Sequence, residues 1–185
     1  MRKLALEVLR LVPVLVFAVA PLSSHSADLR MFLSSAKRPL YSNRVFDFSV
    51  ALPPGVIYSV AIPPNPDHGL NVLRNDNAVV WVDASYTDSS SIEQEVQKQT
   101  AGCRIEFTKP VKLGKLPAIL LRFSCDATAH DSPWSEQVVL SVKQYANLPS
   151  ICYQVGIRRH AWRSTFKEDN DYPFENLIAG FSGPR

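Results

Sequence analysis

The stretch CRIEFTKPVKLGKLPAILLRFSC, residues 103–125, decides the fold. It reads as two strands around a Lys112-Leu113-Gly114-Lys115 turn, and strands joined by so short a turn can only run antiparallel. Cys103 and Cys125 stand equidistant from Gly114. A hairpin symmetric about that glycine sets the two sulfurs face to face, so the spacing predicts a Cys103–Cys125 disulfide in an oxidising compartment. Cys152 is left over, inside a run that reads as a strand, where a free Cys behaves as a small buried hydrophobe.

Working outward, residues 135–144 and 151–159 supply two more strands, with turn signals at His130-Asp131-Ser132-Pro133 and Asn147-Leu148-Pro149. Upstream, VFDFSVALP alternates Phe46, Phe48, Val50 and Leu52 with smaller or polar residues. VIYSVAI, LNVLR and AVVWVDAS add further short strands. The Pro63 to Gly69 loop cannot be regular structure, because Pro lacks the amide and restricts its neighbour. Ser90 and Glu93 have capping-box spacing ahead of IEQEVQKQTA, which predicts a helix over 91–101 with Gly102 as its left-handed cap. Phe174, Leu177, Ile178 and Phe181 recur at helical spacing after Pro173 and predict a closing helix. The expected class is α+β: an antiparallel β-sheet meander flanked by two main helices.

The run Tyr41-Ser42-Asn43-Arg44 into Phe46-Asp47-Phe48-Ser49-Val50 and Leu52-Pro53, the Pro66-Asp67-His68-Gly69 loop, a helix, a meander and a terminal helix ending in Phe181 together resemble the Mog1/PsbP-like superfamily. The similarity is greatest to its small exported bacterial members. The resemblance implies a PsbP/Mog1-like sandwich used for protein binding, with no catalytic residues to carry over. His68 departs from the small or acidic residue that relatives place in that loop.

Residues 1–26 read as a signal peptide, with Arg2 and Lys3 ahead of the apolar run Leu11 to Ala20 and small residues at Ser24 and Ser26. Residues 27–42 are a lead-in segment and 43–185 a single domain. The full chain holds 20 Lys+Arg and 17 Asp+Glu. Taking away Arg2, Lys3, Arg10 and Glu7 leaves 17 against 16, a balance that argues against a nucleic-acid binder. No Cys lies near the end of the apolar run, so neither a lipid anchor nor stable membrane insertion after cleavage is expected. The address is the bacterial periplasm or the outside of the cell.

Chemistry is sparse. His25, His68, His130 and His160 show no metal-ligand spacing, Gly-x-Ser-x-Gly is missing, and no phosphate loop exists among seven glycines. No metal, cofactor or catalytic residue is expected. The candidate partner-binding residues are Arg158, Arg159, His160, Trp162 and Arg163, where cations surround a Trp, together with Asp67 and His68 of the rigid loop. The expected function is a non-enzymatic module for a periplasmic or secreted protein partner, in its sharpest form an immunity or inhibitor protein for an envelope toxin or hydrolase. The alternatives are an envelope assembly or stability factor, and a hydrolase with an unrecognised site.

Overall fold

The computed structural model describes residues 29–33, 40–61, 68–74, 78–126, 133–160 and 173–184. Along these residues run β1 (Leu29–Leu33), β2 (Leu40–Asn43), β3 (Phe48–Ala51), β4 (Ile57–Ala61), β5 (Gly69–Leu73), β6 (Val79–Thr87), α1 (Ile92–Gln99), β7 (Arg104–Leu113), β8 (Leu116–Cys125), β9 (Trp134–Tyr145), β10 (Leu148–His160), α2 (Phe174–Gly180) and β11 (Phe181–Ser182). Eight strands form one antiparallel sheet in the order β1-β4-β5-β6-β10-β9-β8-β7, and three form a small one, β11-β3-β2. Two meanders therefore meet in the middle. The first is β4-β5-β6; α1 then carries the chain to the far edge, and β7 to β10 step back until β10 pairs with β6.

The 103–125 hairpin forms as its sequence dictates. Gly114 takes φ +59°, the left-handed first position of a two-residue type II′ turn. With Leu113 opposite Leu116, the centre of symmetry falls between Gly114 and Lys115, and an uninterrupted ladder would miss the cysteine pair by one residue. A bulge between Ile105 and Phe107 absorbs the slip, so Arg104 faces Ser124 and Cys103 meets Cys125 in a disulfide.

The alternation of each strand splits the apolar residues into two cores. Val80, Val82, Val139, Tyr153, Val155 and Ile157 face Phe48, Val50, Phe174, Leu177 and Phe181 of the small sheet and α2. On the opposite face Leu121, Phe123, Val138, Leu140 and Cys152 pack beneath Val96 of α1. We call these the α2 face and the α1 face.

The α+β sandwich expected from the sequence is overturned: strands dominate, and the two helices hold only eight and seven residues. Part of the layer covering the α2 face is itself a sheet. Phe181 has helical spacing from Phe174 and is buried, yet α2 stops at Gly180 and Phe181 pairs with Val50. The helix over 91–101 shortens to Ile92–Gln99, because the cap is Ser91, whose hydroxyl accepts from the Gln94 amide at 3.1 Å. Residues 29–33 of the lead-in segment supply a strand to the large sheet, and its residues 40–42, continued by Asn43, supply one to the small sheet.

Candidate functional site

Arg158 sits on the α1 face between the rings of Trp81 and Trp134. Its register partner on β9 is Glu136, and Nε donates to Glu136 Oε2 at 2.8 Å. The guanidinium lies 4.2 Å from the Trp134 ring centroid and 5.8 Å from that of Trp81, while Trp134 meets Phe123 edge-on at 5.4 Å. Glu136 is almost wholly buried and Arg158 is 44% exposed, so the pair fixes the guanidinium at the surface rather than hiding it. Trp81 crosses β10 at Gly156, its register partner.

A second polar cluster lies beneath α1. Glu95 Oε2 accepts from Thr87 and Ser89 hydroxyls, each at 2.6 Å, and Oε1 accepts from Gln99 at 3.2 Å. Beside it, Gln154 Nε2 reaches Cys152 Sγ at 3.4 Å. Burial, with the Glu95 charge nearby, pushes the Cys152 thiol up to about 12, the wrong direction for a nucleophile. His160 is eight residues along the same strand, about 26 Å at ~3.3 Å per residue, so the two cannot form a catalytic pair.

The two buried carboxyls titrate in opposite directions. Burial raises Glu136 above the ordinary carboxylate range despite the pull of Arg158. For Glu95 burial also pushes upward, but the Ser89 and Thr87 hydroxyls with Gln99 outweigh it and hold the group low. A raised carboxyl contributes stability that is complete below its unfolded pKa and lost as pH rises through its folded one; a lowered carboxyl contributes above its unfolded pKa and loses it as pH falls. Glu95→Gln should therefore cost about 2 kcal/mol at neutral pH, with the deficit closing toward pH ~3. Glu136→Gln should cost less at neutral pH than at pH ~5. Melting curves across this range check both, and variant curves running parallel to wild type would contradict them.

The end of the sheet remote from Arg158 carries a different surface, built around Phe46. The Phe46 amide donates to Asn43 Oδ1 at 3.0 Å, its carbonyl accepts from the Tyr153 hydroxyl at 2.8 Å, and its ring lies 5.2 Å from both His68 and Tyr86. His68 is clamped to β6: its carbonyl accepts from the Ala84 amide at 2.8 Å, and its ring stands 2.9 Å from the Ala84 carbonyl. Because a carbonyl only accepts, Nδ1 carries the proton in that contact. Around this frame Val45, Tyr86 and Leu148 are 56%, 58% and 68% exposed, beside the partly buried Tyr145, over which Lys143 stands at 5.1 Å.

The sequence-derived cluster is thus divided. Arg158 and Arg159 point to opposite faces because they are neighbours in a strand. Asp67, Trp162 and Arg163 lie outside the described residues, as does the side chain of His160. His68 belongs to the Phe46 end, on the α2 face. Trp81, Glu136 and Asn71 were missed. In AVVWVDAS the apolar alternation runs through Val80, Val82 and Ala84, which sets Trp81 on the other face of the strand, a signal readable without coordinates.

No protein-family model matches the chain, and no curated protein does. A solved crystal structure from Bacteroides thetaiotaomicron is similar over 84% of this chain and 48% of its own, at 12% identity and a TM-score of 0.42. The chain spans about half the length of that protein, and the likeness carries no argument about fold or function. No helix among the described residues is long and apolar enough to cross a membrane.

Proposed function

We propose that this chain is an exported, non-enzymatic protein-binding module whose partner docks at the Phe46 end of the sheet. The observation that carries the reading is the exposure of Val45, Tyr86 and Leu148 around a backbone pinned by Asn43, His68 and Tyr153. Tyr buries a large rigid surface at low entropic cost, and apolar side chains on a fixed frame lose little freedom on docking. The high thiol pKa of Cys152 supports a non-catalytic role. The disulfide and the signal-like residues 1–26 support export. An inhibitor of an envelope enzyme is the form of partner binding that a rigid, non-reacting end serves best.

The test is cross-linking and pull-down from the periplasm of the native host, comparing wild type with Tyr86→Ala/Leu148→Ser. A partner recovered by wild type and lost at least tenfold by the double variant, with unchanged melting temperature, is the expected result. Equal recovery by both proteins, or recovery of no partner, would end this reading.

A further inference from the structure

Trp81 lies flat on the sheet. A Cβ at Gly156 would overlap Trp81 Cζ2 and stand 2.6 and 2.7 Å from Cε2 and Cη2, so the indole rests on the Gly156 backbone with its other side turned outward. A hollow of about 280 Å³ opens beside it, lined by Asn71, Val79, Trp81 and Arg158. Asn71 is the register partner of Trp81 on β5, and Arg158 flanks it on β10. Among the described residues no helix covers this part of the α1 face, where Ile57 and Val79 are 43% and 42% exposed.

We infer that this hollow is a carbohydrate subsite, in which a pyranose ring of a neutral glycan stacks on the outward face of Trp81 while Asn71 and Arg158 hydrogen-bond its hydroxyls. A pyranose presents an apolar C–H face and a polar rim, and the hollow has a flat aromatic wall with polar groups at its margin. Asn71 offers an acceptor and two donors, Arg158 donors only, which suits hydroxyls that both give and accept. A purely apolar ligand would strip water from both side chains without replacing its hydrogen bonds. An anion gains little, since Glu136 already balances Arg158. The volume falls just under the ~300–1,000 Å³ of pockets for drug-sized ligands, a space for a single ring of a longer chain. Arg158 is held by Trp134 and Glu136 before any ligand arrives, so little freedom remains to be lost.

This subsite lies on the opposite face and the opposite end of the sheet from the proposed protein surface, so either can fail alone. The full chain is titrated with cellotetraose and, separately, chitotetraose, followed by tryptophan fluorescence and calorimetry. Saturable binding of one or both is expected, weakened at least tenfold by Trp81→Ala, less by Trp81→Phe, and severalfold by Asn71→Ala, which alters an exposed side chain and should leave the melting temperature in place. Tyr86→Ala should bind the sugar as wild type does. No saturation by either oligosaccharide up to ~10 mM, or wild-type affinity in both Trp81→Ala and Asn71→Ala, overturns the inference. Loss of a protein partner in Trp81→Ala with no sugar bound by wild type would also overturn it, reassigning this face to a protein contact.

Discussion

Replacing Gly69 by Ala is expected to destabilise the protein by about 3–5 kcal/mol, a fall of about 10 °C in melting temperature for a chain of this size. β5 crosses β6 so closely at this point that an added Cβ would overlap the Val82 carbonyl oxygen and lie 2.8 Å from its carbon and 2.9 Å from Asp83 Cα. These are backbone atoms of a central strand, so no side chain can swing aside. The neighbouring clamp between His68 and Ala84 would be forced apart with them, loosening the frame behind Phe46. Gly102→Ala is the control: it has no atom within 4 Å of the new Cβ and faces only the cost of its φ of +79°, about 1 kcal/mol. Thermal melting of the two variants decides the matter, and equal shifts would show that the close approach at Gly69 is relieved by movement.

Removing the disulfide as Cys103→Ser/Cys125→Ser should cost about 3 kcal/mol, the loop-closure entropy expected for a bridge whose ends are 22 residues apart. The loss should be local before it is global. β7 is the outermost strand, Ile105 and Phe107 are 46% and 42% exposed, and the bridge anchors its first turn of ladder beside the bulge. Hydrogen exchange of residues 104–107 should accelerate ahead of the rest of the sheet. Reductant should lower the melting temperature of wild type and leave the double variant unmoved; a wild-type melt indifferent to reductant would contradict the assignment. Cys152 cannot substitute for either partner, because it lies about 26 Å along the ladder from the level of Cys125 at ~3.3 Å per residue.

How much could be read beforehand follows from which interactions are local. The 103–125 hairpin was legible, because alternation, a turn glycine and two cysteines agree within a single stretch. Its bulge at Glu106 was not, since a one-residue slip leaves no mark on an alternating pattern this weak. The small sheet was hidden for a different reason: β2 has four residues and β11 two, too few to show a period, and Phe181 borrows the spacing of the helix before it. The Arg158 site was half legible. Arg158 itself stood out, but Trp81 and Trp134 are joined to it only through strand pairing, and a run of consecutive cations in a strand is necessarily split between two faces.

The return of β10 to a place beside β6 sets the timing of assembly. Among the described residues, 148–160 are the last long strand in chain order, and until they pair with Val79–Thr87 the two meanders share no ladder at all. Closing that gap joins segments separated by some 60 residues or more, a contact whose entropy must be lost before any of it is regained, and such topologies fold slowly. The local hairpins of each meander can form early, but the large sheet closes as one late event, when β6 and β10 meet.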